Sequence, residues 1–218
     1  MVVILETILK TKMGLGFVIL IHLIAIFVIS SFIAMVLIII TKLFSKEEKR
    51  KKRILLAGLA PYVGLFSFYL FGFLGSTIVS EIKDVDIGYG DTWYVPIKDN
   101  CKLIFIDLPE QAYLDDDEKT LIENVAYIQQ TENKIVGKTY ESIYFTYNIQ
   151  SKDFQKYKNE LDLFKANNSE KLNLKKAMDF YIDRRKKIVG AYFDIVGIIS
   201  FLISVLILWI LRKLILIQ

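Results

Sequence analysis

The sequence predicts an integral membrane protein: three transmembrane α-helices plus a small α+β domain, with an antiparallel sheet, inserted between helices 2 and 3. Three observations carry this. Residues 14–44, 54–80 and 188–211 are apolar and almost uncharged, whereas 81–187 is polar and densely charged. Each apolar run reaches the ~20 residues that cross a hydrocarbon core ~30 Å thick as helix. The polar stretch has 107 residues, enough to bury a small core of its own.

In chain order, residues 1–13 are an N-terminal apolar or interfacial segment and 14–44 the first transmembrane helix. That run is too long for a signal peptide and no small-residue cleavage site follows it, so it is expected to stay attached. Residues 45–53 form a basic cytoplasmic loop, 54–80 the second helix, and 81–187 the extracytoplasmic domain. The third helix is 188–211, and 212–218 are a C-terminal tail. Seven of the twelve residues from Lys42 to Arg53 are Lys or Arg, the strongest basic bias in the chain, which places this loop in the cytoplasm. The domain then lies outside, in a bacterial-type cytoplasmic membrane. "DRRKK" at 183–187 opposes that orientation, although the rule weakens for long translocated domains. The competing arrangement keeps the domain cytoplasmic and makes one of the first two runs re-entrant or interfacial.

The net charge of +4 is not a nucleic-acid signal, because the basic residues flank apolar runs. Lys49, Arg50, Lys51, Lys52 and Arg53, with Arg184, Arg185, Lys186 and Lys187, read as contacts to anionic lipid headgroups. Within the second run, Ala60-x-x-x-Gly64 and Gly72-x-x-x-Ser76 fit the small-xxx-small pattern of close helix approach. They serve packing within the bundle or the seam of a homo-oligomer. Pro61 is expected to kink the helix mildly. His22 and Asp194 are ionisable residues inside apolar runs, a placement that is functional by default. If the first and third helices point the same way, the two lie about 12 Å and 9 Å from one face. A His22–Asp194 hydrogen bond or ion pair is then open, as a structural pair or as part of an ion path. Alternatively, Asp194 reaches back to interfacial water.

In the polar domain, "DTWYVPI" and "CKLIFID" read as a hairpin around Lys98-Asp99-Asn100. Trp93, Val95 and Ile97 share one face and Leu103 and Phe105 another. Pro96 marks an edge strand or a bulge. "VAYIQQ" and "KIVGKT" form a second pair, and "SIYFTYNI" at 142–149 is a fifth strand. The period then changes. Ser151 is expected to cap a helix carrying Phe154, Tyr157, Leu161 and Phe164. A second helix begins near Ser169 with Leu172, Met178 and Tyr181 inward, and is expected to run unbroken from about 169 to 211 as a rigid stalk. The hairpin, the strand–turn–strand "VAYIQQTENKIVGKT", "YFTYN" and the following helix resemble an uncharacterised small β-rich domain of bacterial envelope-associated proteins. Some of those are lipoproteins and some toxin-immunity factors. The resemblance covers about 86–165, under half the chain. The lipoprotein cysteine is missing, which implies helix anchoring, and no catalytic residue carries over.

Asp115, Asp116, Asp117 and Glu118 read as a solvated acidic loop, since the EF-hand spacing and its Gly are missing. "GYGD" at 88–91 lacks the Lys-Ser/Thr and helix start of a phosphate cradle. Asn167-Asn168-Ser169 matches a glycosylation sequon. The single His lies in an apolar run, so a Ser-His-Asp triad or a zinc site in the domain is not expected. Cys101 stands alone and reads as a small core residue. No metal and no cofactor are expected, and the protein reads as non-enzymatic. Tyr89, Trp93, Tyr94 and Tyr113 form a candidate partner surface, with Tyr140, Tyr144 and Tyr147 in or beside the fifth strand. The leading expectation is protein recognition by the extracytoplasmic domain, in an envelope complex or in toxin immunity. The alternative is a transporter or channel subunit that uses His22 and Asp194.

Overall fold

The computed structural model describes residues 2–88, 92–116, 119–166 and 172–217, with side chains from Leu15 onward. The chain divides into two compact units, Met1–Val79 with Ala191–Gln218, and Ser80–Gly190. Among the described residues there are five helices. Three are long and apolar enough to cross a bilayer: α1 (Val2–Phe44), α2 (Arg50–Lys83) and α5 (Tyr192–Ile217). α1 is continuous and takes in the segment before residue 14, and α5 takes in most of the expected tail, including Arg212 and Lys213.

The helical unit is built inside out relative to a water-soluble bundle. Its buried residues include Ser30, Ser200 and Ser204, while Phe32, Ile198 and Phe201 lie on its surface. Each buried hydroxyl finds a carbonyl. Ser30 Oγ donates to Pro61 O at 3.4 Å, Ser200 Oγ to Val196 O at 2.7 Å, and Ser204 Oγ to Gly64 O at 2.8 Å. Gly64, Gly72 and Gly75 of α2 face α5, and Gly58 faces α1. A Cβ on Gly64 would lie 3.1 Å from Leu208 Cδ1, and one on Gly75 would lie 2.6 Å from Val196 Cγ1. Here the small residues serve packing within one chain. Pro61 lies inside α2.

The second unit holds nine strands among the described residues, arranged in two antiparallel sheets. β1 (Thr92–Lys98), β2 (Cys101–Ile106), β3 (Leu108–Asp116) and β4 (Lys119–Ile122) form a meander in that order. β5 (Val125–Gln130), β6 (Lys134–Thr139), β7 (Tyr144–Asn148) and β8 (Asp153–Tyr157) form another, and β9 (Lys175–Lys176) pairs with the free side of β5. The expected single sheet of four or five strands is therefore two sheets. Pro96 satisfies both of its readings: β1 is an edge strand and its register shifts between Pro96 and Lys98. Tight turns carry positive φ at Asp99, Asp107 and Asn124, residue types that tolerate the left-handed region.

Cross-strand partners share a face. Val95, Leu103, Phe105, Ala112 and Leu114 form the inner face of the first sheet, and Ile128, Ile135, Phe145 and Tyr147 that of the second, all essentially fully buried. Two helices complete the unit. α3 (Glu160–Ala166) packs on β7 and β8 and buries Leu163. α4 (Ala177–Val189) lies against strands of both sheets, with Tyr181 edge-on to Phe105 at 5.5 Å.

Three expectations are corrected. Residues 153–157 form β8 rather than the start of a helix, because Phe154 pairs with Tyr147 across the sheet and packs on Phe145 at 6.0 Å. The expected start near Ser169 lies outside the described residues, and α4 begins at Ala177. No rod runs from 169 to 211: α4 stops at Gly190 (φ 54°, ψ −126°), a backbone conformation that favours glycine. The acidic stretch is also partly strand. Asp115 and Asp116 belong to β3, and Asp117 and Glu118 lie outside the described residues.

Gly137 is required by contact. A Cβ there would run into Phe145 Cζ and would lie 2.7 Å from the Tyr127 carbonyl. Gly137→Ala is expected to cost about 1–3 kcal/mol, as overpacking of a tight core does. A lowered denaturant midpoint in the full chain, read on the tryptophan signal, checks this.

Candidate functional site

The most heavily constrained polar group in the second unit is Asp86, buried in the segment between α2 and β1. Its Oδ2 accepts from the Gly88 amide at 2.8 Å. Its Oδ1 accepts from Tyr181 Oη at 2.7 Å and from the Tyr94 amide at 3.4 Å. Arg185 Nε lies 3.4 Å from Oδ1, and Arg185 Nη2 donates to the Asp86 carbonyl at 3.0 Å. One carboxylate thus ties the entry of the domain to β1 and to α4 near its exit. Burial, then the hydrogen bond and charge of Asp86, push the Tyr181 phenol far above its ordinary value of 10.0.

Two of the expected headgroup contacts are therefore used inside the domain. Arg185 pairs with Asp86. Arg184 Nε donates to Pro96 O at 3.1 Å, and its Nη2 donates to Ile97 O. Burial pushes the Arg184 guanidinium below its ordinary value. Lys186 and Lys187 remain exposed. In the helical unit, Lys49 Nζ donates to Leu216 O at 3.4 Å, Arg50 Nη2 to Lys42 O at 2.7 Å, and Arg53 Nη1 to Ser45 Oγ at 3.3 Å. Lys51 is exposed and Lys52 half-buried.

His22 Nδ1 lies 3.3 Å from Tyr69 Oη, with the rings edge-on at 5.7 Å. Asp194 is exposed in the first turn of α5, where the helix dipole favours a carboxylate. The structure thus joins His22 to a phenol of α2 and gives Asp194 a helix terminus, instead of bringing the two together.

The aromatic candidates separate by face. Trp93 lies on the inner face, across from Phe105, at a ring distance of 6.5 Å. Tyr94 and Tyr113 flank Ile104 on the outer face, in the row Tyr94–Ile104–Tyr113. Burial raises the pKa of both phenols. Lys102 Nζ lies 5.6 Å from the Tyr94 ring and pairs with Asp84 at 3.0 Å. Tyr89 lies outside the described residues. Tyr147 is buried and donates to Asp116 Oδ2 across the two sheets, with Lys152 Nζ at 3.9 Å from the same oxygen.

A longer row, not anticipated as a surface, crosses the outer face of the second sheet: Tyr127, Lys138, Tyr144 and Tyr157 are successive register partners on four strands. At about 4.8 Å per strand it extends about 14 Å. Tyr127 is 38% exposed and nearby Tyr140 55%. Lys138 Nζ sits 5.2 Å from the Tyr144 ring, and Tyr157 Oη donates to Gln155 Oε1 at 2.7 Å. The sequence held the signal in part, because the β5–β6 hairpin sets Tyr127 opposite Lys138. Completing the row required residues 153–157 to be strand.

The fold and these sites define a class: an antiparallel two-sheet domain inserted into a bundle of three long apolar helices. Comparison with protein-family models, curated proteins and solved structures finds no match.

Asp86→Ala is expected to cost about 3 kcal/mol, because it leaves Arg185 and Tyr181 without their shared carboxylate. The check is the denaturant midpoint of the full chain. The raised phenol also fixes a pH dependence. Below pH about 10 Tyr181 is protonated in both states and its contribution is complete. Above that, the unfolded chain releases the proton first, so stability falls as pH rises toward the folded value. Tyr94 and Tyr113 act in the same direction. Midpoints measured at pH about 9 and about 11 should fall with pH, and fall less in Tyr181→Phe.

Proposed function

We propose that this chain is a non-enzymatic multi-pass membrane protein that displays its α+β domain outside the cytoplasm for protein recognition. An accessory role in an envelope complex and immunity against an envelope-targeting toxin both fit. The resemblance of 86–165 to envelope-associated β-rich domains belongs to the same reading. The observation that carries it is the tyrosine row on the second sheet. A phenol-rich face has the composition of interface hot spots; Tyr127 is exposed there, while Tyr144 and Tyr157 are half-buried, Tyr144 donating to Glu160 of α3.

The membrane reading is supported by the bundle's polarity, with serines inside and large apolar side chains outside. Without water to solvate them, buried hydroxyls must find carbonyls, as these do. The orientation is supported by two facts. The 42–53 stretch is basic, and Arg184 and Arg185 have partners in the folded domain. Their presence thus has a reason other than topology. The transporter alternative needs His22 and Asp194 in one path, and their separate placements favour recognition.

Sidedness is testable with an impermeant thiol reagent. Cys101 is buried, and Glu132 is exposed, so a cysteine at 132 serves as the reporter for the domain. In intact cells Glu132→Cys should label and Glu48→Cys should label only after permeabilisation; the opposite pattern rejects the orientation. For recognition, a photo-crosslinking residue at Tyr127 should give one discrete adduct in the native membrane. Tyr144→Ala with Tyr157→Ala should abolish it, and the same crosslinker at Glu132 should give none. An adduct insensitive to those substitutions argues against this face.

A further inference from the structure

We propose that the loop end of the helical bundle binds one anionic phospholipid, its phosphate at Arg53 and an acyl chain along the groove between α1 and α2. This rests on the reading of the bundle as membrane-spanning. A recess of about 460 Å³ opens beside Thr41, Ser45 and Arg53, with Leu56 and Ala57 on its α2 side. A second, of about 480 Å³, is lined by Ile33, Pro61, Phe68 and Leu208 among α1, α2 and α5. Leu37 and Ala60 line both, so the two recesses adjoin, and end to end they make the proposed groove. From Ser45 back to Ile33 it follows about 18 Å of helix, a length suited to a fatty acyl chain.

The groove is graded along its length. Its mouth offers a guanidinium and two hydroxyls, and its interior is almost wholly apolar. That is the polarity of a lipid, head to tail. Arg53 is exposed, and its bond to Ser45 Oγ uses one of the five N–H donors of a guanidinium fork. The fork therefore retains the capacity for a charge-assisted, two-point contact with phosphate.

The surrounding charge selects the sign of the head. Seven Lys and Arg between 42 and 53 face only Glu47 and Glu48 in that stretch. The first turn of α2 has no acidic residue. The Lys49 bond to Leu216 O brings the end of α5 to the same place, with Arg212 and Lys213 in its last turns. A zwitterionic head would bring its own cation into this field, whereas an anionic one would not. Basic pockets between helices at the cytoplasmic face are where anionic heads are held.

The test uses the full chain in detergent and native mass spectrometry. Phosphatidylglycerol and phosphatidylcholine with identical acyl chains are compared, with soluble glycerol phosphate as competitor. Phosphatidylglycerol should bind about tenfold more tightly, because phosphatidylcholine offers the same phosphate but sets a cation in the basic field. Arg53→Gln should weaken both lipids, whose phosphates Arg53 would hold, and lower the preference, and Arg53→Lys should do so less. Ala57→Phe, which narrows the mouth, should weaken both lipids; if it does not fold, the two Arg53 variants decide. Equal binding of the lipids, an unchanged preference in Arg53→Gln, or displacement by glycerol phosphate overturns the site. Alkaline carbonate extraction of membranes separates the two levels. Release of the chain defeats the membrane reading itself, while retention without anionic preference defeats the lipid site alone.

Discussion

The domain depends on one buried carboxylate. Asp86 lies just after α2 and accepts from groups at Gly88, Tyr94 and Tyr181, with Arg185 beside it. Taking a charged aspartate out of water costs several kcal/mol, which only a complete set of donors offsets. The set draws on both ends of the domain's chain: the segment entering β1, and the last three turns of α4 before the Gly190 break. Once formed, it fixes α4 against the first sheet. Tyr181 then reaches Phe105, and Arg184 reaches the carbonyls of Pro96 and Ile97. A simple apolar contact would not discriminate among the registers α4 could adopt on the sheet. A directional carboxylate does.

Legibility in the sequence followed how openly each element displays its period. The three apolar runs were plain, because a bilayer-length helix needs no pattern beyond length and absence of charge. The β1–β2 and β5–β6 hairpins were plain as well, since both alternate and both have turn residues between them. β3 and β4 were hidden. In "LPEQAYLDDDEKTLI" the buried positions of β3 are Ala112, Leu114 and Asp116, and an aspartate does not read as a core residue until its partner Tyr147 is known. β8 misled for another reason. Phe154 and Tyr157 are three apart, as on a helix, yet they lie on opposite faces of an edge strand. The Asp86 cluster was invisible, because Tyr181 and Arg185 are 95 and 99 residues from Asp86 in sequence. The sequence showed Gly190 but not its φ, so a break read as a continuous rod.

The basic residues divide into two populations that composition alone cannot separate. At 183–187 two arginines serve the domain's interior, and burial of Arg184 lowers its pKa without removing its charge. At 42–53 the cations are largely exposed at a helix end and hold one another's neighbours by backbone and hydroxyl bonds. Under the membrane reading the second population stays available to headgroups, whereas of the first only Lys186 and Lys187 do. The positive-inside argument rests on that stretch, and the apparent contradiction between the two basic segments becomes weaker than the raw count implies.

The sheet edges bear on how a partner could be engaged. Open strand edges invite pairing with another chain, and proteins blunt them with charge, proline, bulges or short strands. All these devices are present. β1 carries Pro96 and a register shift, β4 has four residues, β8 bears Asp153 and Lys156, and β5 is partly covered by the two-residue β9. Recognition by strand addition is thereby disfavoured at every edge, while the outer face of the second sheet presents Tyr127 openly and Tyr144 and Tyr157 half-buried. A partner that binds this domain would then be read through side chains standing on a fixed register. Specificity would reside in the spacing of Tyr127, Tyr144 and Tyr157 rather than in main-chain hydrogen bonds, and the same core that buries Phe145 and Tyr147 beneath them would hold that spacing rigid.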